Sequence, residues 1–277
     1  MAALAAAHQR RVDALVADHL RRRSRGERHP IEDFLFEYYS YRPGALRRWH
    51  PGWGVRLAGD VTAFGSIRGF AVAETHAHVD PRLAESRSDE VAWIRDLLVA
   101  TQNRPAALGC FGLHEWAMVY RLPADELRHR QLPLRLGSAG TDEVVERHRI
   151  ACTHYDAYRF FTPEAVGLNT RRPTLTTRID NEQPGCLHAA MDTYKWAYKL
   201  APFTPAALVV DCFVLAREIR VIDMRASPYD VTALGHSPIA IETPAGKSEY
   251  LHAQRHFADA AAVLRRRLIE VCDAVLA

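Results

Sequence analysis

The order of apolar and polar positions along the chain predicts a mainly α protein. Apolar residues recur at helical spacing in four long stretches, each bounded by capping or helix-breaking residues. These stretches cover residues 2–24, 88–102, 204–224 and 244–276. Shorter helices are expected within 29–39, 43–50, 109–121 and 141–146. We therefore expect one bundle-like domain over residues 29–277, preceded by an N-terminal helical arm over residues 1–28.

Residues 55–80 break the helical pattern. Glycines and β-branched residues are frequent there, and the apolar positions tend to alternate with polar ones. Such a pattern is typical of an irregular segment or of a small β-hairpin. We expect an insertion of this kind in the helical domain, with a lid as a second interpretation.

The stretch from Pro184 to Leu200 has the most unusual distribution of polar residues. Pro184-Gly185 begins it and Pro202 ends it. On a helix the polar side chains of His188, Asp192, Lys195 and Lys199 fall within about 60° of one another, and almost all the remaining surface is apolar. The pattern predicts a buried helix whose polar stripe faces an internal cleft. A peripheral helix with solvated lysines is the alternative.

Two further pairs of ionisable residues lie in apolar surroundings. His114 and Glu115 are the only acidic or basic residues between Gly109 and Tyr120, so each must have a partner or a shifted pKa. His154 and Asp156 would share a face on a strand but would diverge by about 200° on a helix. The sequence leaves these two conformations open.

Composition adds few restrictions. Of the 277 residues 48% are hydrophobic and 25% charged, and the net charge of +3 does not by itself indicate nucleic-acid binding. The five cysteines are dispersed without a CxxC pair, which is typical of reduced thiols in a cytoplasmic protein. No stretch has the pattern of a signal peptide or a membrane span, so we expect a cytoplasmic protein without a membrane partner.

The polar residues in apolar surroundings permit two kinds of chemistry. A metal site of zinc or non-haem iron would use imidazole and carboxylate ligands. The candidate ligands are His114, His154, Asp156, His188, Asp211 and Glu218. Without a metal, a carboxylate beside a histidine could activate water, and Lys195 could bind an anion or act as an amine nucleophile. The same residues also fit a purely structural network of ion pairs.

The sequence lacks several known motifs, and these absences disfavour some classes of enzyme. The metalloprotease HExxH and the deaminase HxE with PCxxC do not occur, and no Glu-x-x-His pair stands at the places expected for a di-iron bundle. The P-loop, the dinucleotide-binding GxGxxG after a strand, and the GxSxG elbow are also missing. ATP, NAD and an α/β-hydrolase mechanism are therefore disfavoured.

Four segments, spread over nearly the whole chain, carry a resemblance to a family. The first runs from His29-Pro30 to Arg47-Arg48-Trp49-His50-Pro51-Gly52, and the second is Gly109-Cys110-Phe111-Gly112-Leu113-His114-Glu115-Trp116-Ala117-Met118-Val119-Tyr120-Arg121. The third is Gly185-Cys186-Leu187-His188 with Met191-Asp192 and Tyr194-Lys195-Trp196-Ala197-Tyr198-Lys199, and the fourth is Asp223-Met224-Arg225-Ala226-Ser227-Pro228-Tyr229-Asp230. The chain resembles the actinobacterial proteins labelled 3-methyladenine DNA glycosylase. The resemblance implies hydrolysis of the N-glycosidic bond of an alkylated adenine, with DNA as partner and without a required cofactor.

The resemblance also implies roles for individual residues. Asp192 or Glu115 would be the carboxylate that activates water, with His188 and His114 as further catalytic candidates. The substrate would be bound by aromatic stacking and by cations. The candidate substrate-binding residues are Trp116, Tyr194, Lys195, Trp196 and Arg159.

Three hypotheses are therefore carried forward. The first is a DNA glycosylase acting on alkylated adenine. The second is a metal-dependent or acid–base enzyme that acts on a small molecule in a helical cleft, with iron or zinc as the cofactor of the metal-dependent form. The third is a binding protein whose cleft holds a cationic or aromatic ligand. Convergence of histidine and carboxylate groups on one point would favour the second.

Overall fold

The computed structural model describes residues 1–277 and is mainly α, as predicted. In chain order the helices are α1 (Ala2–Ser24), α2 (Phe34–Tyr38), α3 (Pro43–Leu46), α4 (Pro81–Ser86), α5 (Ser88–Asn103), α6 (Leu113–Ala117), α7 (Gly137–Arg147), α8 (Tyr155–Tyr158), α9 (Pro163–Val166), α10 (Arg178–Asn181), α11 (Leu187–Lys199), α12 (Ala206–Ala226) and α13 (Pro244–Leu276). The strands are β1 (Leu57–Ala58), β2 (Phe70–Val72) and β3 (His76–Val79).

The long helices begin and end close to the residues that the pattern indicates. α1 and α13 have the predicted bounds, and α5 and α12 differ from them by one or two residues. α13 begins at Pro244, where the missing amide hydrogen of proline has no cost because first-turn amides have no partner within the helix. Helices of this length expose enough turns for the 3.6-residue period to be read from sequence.

The predicted insertion within residues 55–80 is a small antiparallel sheet in the order β1–β3–β2. β2 and β3 form a hairpin in which Phe70 pairs with Val79 and Val72 with Ala77. A small apolar cluster packs against the sheet. Its buried members are Leu57, Val61, Phe64 and Ala77. The β-hairpin interpretation is thus confirmed, whereas a lid stays a prediction.

The short helices differ more from expectation. The helix predicted within 109–121 is a single element from Leu113 to Ala117, because Phe111 and Gly112 have φ values of 48° and 73°. Ser227-Pro228, a sequence that predicts the start of a one-turn helix, begins no helix. The hydroxyl of Ser227 donates to the carbonyl of Met224 at 2.7 Å and accepts from the amide of Tyr229 at 3.3 Å. His154 has an extended backbone and α8 begins directly after it, so neither of the two conformations considered for 154–156 holds throughout.

Contacts divide the chain into two compact units. Unit 1 consists of Met1–Val99, Asp192–Arg217 and Val263–Ala277, and unit 2 of Ala100–Met191 and Glu218–Ala262. The predicted N-terminal arm, α1, is part of unit 1, where Val12 and Val16 are buried. Residues 29–277, predicted as one domain, contribute to both units.

Helix α11 is buried along most of its length, as predicted. In the polar stripe, His188 and Asp192 are 9% and 1% exposed, Lys195 is half-buried and Lys199 is exposed, so only the C-terminal end of the stripe meets solvent. Burying charged groups is favourable only where they are paired, so the polar stripe must be satisfied by protein groups. None of the helices has both the length and the apolar content needed to cross a membrane.

Candidate active site

The turn before α6, in unit 2, brings the side chains of Cys110 and His114 close together. Phe111 has a φ of 48°, a conformation that costs free energy for a residue other than glycine, and Gly112 follows with a φ of 73°. A Cβ on Gly112 would lie 3.3 Å from the ring of Tyr250, so close packing also disfavours a side chain there. The amide of Leu113 donates to the carbonyl of Cys110 at 3.0 Å and closes the turn.

The turn brings Cys110, His114 and Asp223 into a chain of hydrogen-bonding contacts. The Sγ of Cys110 lies 3.7 Å from Nδ1 of His114, and Nε2 of His114 lies 3.0 Å from Oδ1 of Asp223. His114 and Asp223 are buried, whereas Cys110 is the one cysteine of the chain that is partly exposed. A thiol, an imidazole and a carboxylate in this order form the arrangement that activates a nucleophile.

Arg220 binds the carboxylates of this cluster from the next turn of α12. Its Nη1 lies 2.7 Å from Oδ2 of Asp223 and 3.2 Å from Oε1 of Glu115. Its Nη2 lies 3.5 Å from Nε2 of His129. Because a guanidinium is always charged, Arg220 compensates buried negative charge at any physiological pH.

His188 completes the buried group. Its ring centroid is 4.4 Å from that of His114, and the two rings are nearly perpendicular. On its other side the ring of His154 lies 5.4 Å away. His114, Glu115 and His188, three of the candidate catalytic residues, therefore come together in a buried place.

The surroundings shift the pKa values of the residues in this cluster in different directions. Burial disfavours charge on His114, yet the adjacent Asp223 carboxylate raises the pKa of His114 well above its ordinary value. Burial opposes ionisation of Asp223, but His114, His188 and Arg220 hold its pKa well below its ordinary value. Burial and repulsion by Asp223 raise the pKa of Glu115. At neutral pH, His114 and Asp223 thus form an imidazolium–carboxylate pair.

A pocket of about 500 Å³ in unit 2 opens at Cys110. Cationic side chains from several segments line it, whereas none of its lining residues is acidic. These cations are Arg147, Arg149, Arg171 and Lys247. Arg147 is paired with Glu143 at 2.5 Å, and the ammonium of Lys247 lies 5.9 Å from the ring of Phe111. The pocket is therefore suited to an anionic ligand, with the thiol in its wall.

The same cluster could also hold a metal ion. One ligand atom from each of His114, Glu115, His188 and Asp223 can be chosen so that all four lie within 4.8 Å of one another. Imidazole and carboxylate donors suit zinc or iron. Arg220, however, already binds both carboxylates, so a divalent ion would have to displace a guanidinium or share its ligands with it.

Asp192, the first candidate for activating water, lies in unit 1. Its Oδ1 accepts from the hydroxyl of Tyr39 at 2.9 Å, and its Oδ2 accepts from Nζ of Lys195 at 3.2 Å. The ammonium of Lys195 also lies 4.9 Å from the ring of Trp196. These contacts give Asp192 and Lys195 a paired, largely buried environment, while their catalytic and substrate-binding roles stay predictions.

His154 and Asp156 belong to a second ionic network in unit 2. Nε2 of His154 lies 3.5 Å from Oε1 of Glu182, and Nε of Arg178 forms an ion pair with the same oxygen at 2.8 Å. Asp156 pairs with Arg178, and Nε of Arg159 lies 3.5 Å from its other oxygen. The carboxylates of this network, Glu182 and Asp156, are therefore paired with arginine side chains.

The remaining metal candidates, Asp211 and Glu218, do not belong to the group of four donors. Asp211 in unit 1 pairs with Arg11 and with Arg267, each at 2.9 Å. Glu218 is exposed. The two residues therefore lie in separate environments on α12.

The three aromatic residues predicted to stack on a base are part of packed interiors. Trp116 and Tyr194 are fully buried, and Trp196 is 4% exposed. The indole Nε1–H of Trp116 donates to the carbonyl of Ala226 at 2.9 Å. Stacking on an extruded base would require these rings to leave their packing, and this role stays a prediction.

Comparison with protein-family models, curated proteins and solved structures finds no match to this chain. The resemblance to the proteins labelled 3-methyladenine DNA glycosylase, and the activity it implies, therefore stay predictions. Their direct test is abasic-site formation on methylated duplex DNA, with Asp192→Asn compared with the unchanged protein.

Sequence reasoning overlooked Cys110, Asp223 and Arg220 as site residues. A weak signal for Cys110 was present, because it lies four residues before His114 and between two glycines, Gly109 and Gly112, that permit a tight turn. Asp223 and Arg220 had no comparable signal, since they lie more than a hundred residues later in α12.

Proposed function

We propose that the protein is a thiol-dependent hydrolase or acyltransferase that acts at Cys110 on an anionic substrate. The observation that carries the proposal is the continuous contact from Sγ of Cys110 to Nδ1 of His114 at 3.7 Å and from Nε2 of His114 to Asp223 at 3.0 Å. Cys110 is the nucleophile and His114 the general acid and base. Asp223 is the positioning residue, because it fixes the orientation and the charge of the imidazole.

The reaction proceeds in two balanced steps. The thiolate of Cys110 attacks the acyl carbon of the substrate, and a new carbon–sulfur bond forms while the bond to the leaving group breaks. His114 donates its Nδ1 proton to the leaving group as it departs. A water molecule, or another acceptor with an ionisable hydrogen, then attacks the thioester. His114 takes a proton from it, and the Cys110 thiolate is released.

The lining of the pocket supports the anionic class of substrate. Arg149 and Arg171 form no ion pair, and Lys247 contacts the face of Phe111, so these cations are available to a ligand. The side-chain oxygen of Thr153 is buried in the pocket wall and has no hydrogen-bond partner. A carboxylate or phosphate on the acyl substrate would pair with the arginines, and Thr153 could donate to it.

The first test compares ester substrates and cysteine variants. We expect p-nitrophenyl hemisuccinate, which is anionic, to be cleaved faster than neutral p-nitrophenyl pentanoate. Cys110→Ser should lower the rate by about 10²-fold or more, because the hydroxyl is a far weaker nucleophile at neutral pH. Cys212→Ala, which removes a fully buried thiol of unit 1, should leave the rate unchanged. Equal rates for Cys110→Ser and the unchanged protein would overturn the proposal.

Selective alkylation provides a test that needs no substrate. Iodoacetamide should modify Cys110 in the native protein and spare the four buried cysteines, as peptide mapping would show. Arg149→Gln with Arg171→Gln should leave the alkylation by this neutral reagent intact but reduce the preference for the anionic ester. Modification of another cysteine before Cys110 would contradict the assignment.

A metal-dependent enzyme is the second candidate, favoured by the four donor atoms within 4.8 Å of one another. In that case the purified protein would contain stoichiometric zinc or iron by elemental analysis. His188→Ala would abolish both the bound metal and the activity. Cys110→Ser would then retain both metal and activity. The thiol proposal expects the reverse order of effects, so the two candidates are distinguished by the same pair of variants.

A further inference from the structure

A second pocket, of about 350 Å³, lies in unit 1 and plays no part in the thiol chemistry. Its polar lining residues are aromatic or basic, and none of the residues around it is acidic. These polar residues are Tyr41, Arg48, His50, Arg68, Arg87 and Tyr198. Its volume is in the range of small-molecule sites, which begins at about 300 Å³.

The arginines of this pocket differ in whether they are bound by other groups of the protein. Arg87 donates to the carbonyl of Ala201 at 3.0 Å and to Glu90 at 3.0 Å, so it is anchored and partly neutralised. Arg48 and Arg68 form no ion pair with the protein, although 33 acidic residues are available in the chain. Two guanidinium groups on one pocket without a carboxylate are most stable when an anion occupies it.

His50 provides a buried polar group in the wall of the pocket. It is 4% exposed, and its Nδ1 has no hydrogen-bond partner. Burial and the nearby His8 lower the pKa of His50 to about 4, so the ring is neutral at pH 7. A neutral imidazole can donate one hydrogen bond to an oxyanion without adding a buried charge, and an unpartnered buried nitrogen is otherwise costly.

The backbone fixes the segment that carries Arg68. Gly69 has a φ of 90°, and a Cβ there would lie 2.6 Å from Leu83 and 3.0 Å from Pro202. Leu83 and Pro202 are themselves part of the pocket wall. The missing side chain thus allows the loop to pack directly on the wall, which holds the Cα of Arg68 at the pocket before a ligand arrives.

The two tyrosines add an aromatic side to the pocket. Tyr41 and Tyr198 are stacked, with ring centroids 5.1 Å apart and an interplanar angle of 17°. Both are only partly buried. A ligand that carries an organic group next to its anion would contact these rings, whereas a bare oxyanion would leave them uncovered.

We propose that this pocket is a binding site for a small phosphomonoester, whose phosphate is held by Arg48, Arg68 and His50 and whose organic group lies on Tyr41 and Tyr198. A phosphate dianion can accept paired hydrogen bonds from two guanidinium groups at once, which a single carboxylate does less well. Free inorganic phosphate shares the anionic chemistry but not the contact with the rings.

Calorimetric titration of the full chain tests the site with two probes, inorganic phosphate and phenyl phosphate. We expect both to bind, phenyl phosphate about 5-fold or more tightly because it also covers the rings. Arg48→Gln with Arg68→Gln should weaken phenyl phosphate about 10-fold or more at this site. Arg82→Gln is the matched control, since Arg82 is an exposed arginine of unit 1 that pairs with Asp80 outside the pocket.

Two further variants show which pocket and which side chains produce the measured heat of binding. The Arg149→Gln and Arg171→Gln background removes anion binding by the pocket of unit 2, so the remaining heat reports on unit 1 alone. Tyr41→Leu should weaken phenyl phosphate but not inorganic phosphate. Equal affinity of the two probes would assign the pocket to inorganic phosphate and overturn the phosphomonoester. The same affinity in the Arg48/Arg68 variant and in Arg82→Gln would overturn the site itself.

Discussion

At the scale of single residues, the charge of His114 depends on one carboxylate. Burial alone would keep the ring neutral, and Asp223 reverses that preference. Asp223→Asn should therefore return His114 to the neutral form and slow the alkylation of Cys110 about 10-fold or more, because the thiolate loses its cationic partner. The measurement is the alkylation rate at pH 7 together with the imidazole resonances of His114.

Two controls keep this result specific. Asp223→Glu retains the charge and should recover part of the rate, which a general loss of folding would not allow. Glu249→Gln removes an exposed carboxylate of unit 2 that pairs with Arg225, and it should leave the rate unchanged. An Asp223→Asn protein that is folded and alkylated at the original rate would refute the role of Asp223.

His129 makes a separate prediction about acid stability. Burial, with Arg220 and Arg128 nearby, lowers the pKa of His129 from 6.5 to about 3. A lowered pKa means that the unfolded chain binds the proton first, so the folded state loses stability as the pH falls from 6.5 towards 3. His129→Gln should remove about 2 kcal/mol of that loss between pH 6.5 and pH 4, allowing for partial solvation of the ring.

Denaturant unfolding at a series of pH values checks this prediction. Glutamine keeps an acceptor for Nη2 of Arg220, which now lies 3.5 Å from Nε2 of His129. His252→Gln, at an exposed position of α13, is the control and should leave the pH profile unchanged. Parallel pH profiles for His129→Gln and the unchanged protein would show that His129 does not titrate in this range.

At the scale of elements, the helices that could be predicted are those with several turns. α1, α5 and α13 have repeated apolar positions and clear ends, so local sequence suffices to define them. α6 could not be predicted in the same way. Its apolar neighbours predicted a helix within 109–121, but Phe111 takes a positive φ, which is uncommon for a residue other than glycine and which no local pattern reveals.

Gly112 tests whether this turn positions the site. Gly112→Ala introduces strain at a φ of 73° and places a Cβ 3.3 Å from the ring of Tyr250. We expect a loss of about 1–2 kcal/mol in unfolding free energy. We also expect slower alkylation of Cys110, because the turn that brings Sγ to His114 is displaced. Thermal unfolding and the alkylation rate measure the two effects.

Gly109→Ala is the matched control for that experiment. Gly109 lies on the other side of Cys110, has no positive φ, and a Cβ there would meet no atom within 4 Å. It should therefore leave stability and alkylation nearly unchanged. Similar effects from both substitutions would mean that the effect of Gly112→Ala does not arise from the turn.

At the scale of the whole molecule, the candidate site was only half accessible to sequence reasoning. His114, Glu115 and His188 could be found because ionisable residues in apolar surroundings require partners. The partners themselves, Asp223 and Arg220, belong to a helix of ordinary amphipathic pattern, and only the tertiary structure brings them to α6. The two cationic pockets were missed for the same reason, since each draws its arginines from separate segments.

The two pockets lead to a prediction for the stability of the whole chain. They share no lining residue, and one belongs to unit 1 and the other to unit 2. A ligand that binds only folded protein stabilises it by about 1.4 kcal/mol at ten times its dissociation constant. Phenyl phosphate should therefore raise the melting temperature through both pockets, by about 2–4 °C for each at that concentration.

Variants separate the two contributions. Arg48→Gln with Arg68→Gln should remove one part of the shift, Arg149→Gln with Arg171→Gln the other, and the combined variant both. Effects at sites without shared partners add within about 0.5 kcal/mol. Any salt screens the repulsion among the cationic side chains and can raise the melting temperature without binding. The shift measured with sodium chloride at the same ionic strength is therefore subtracted. If either pair of substitutions alone removed the entire shift, phenyl phosphate would be binding in only one of the two pockets, and the assignment of the other as an anion site would be wrong.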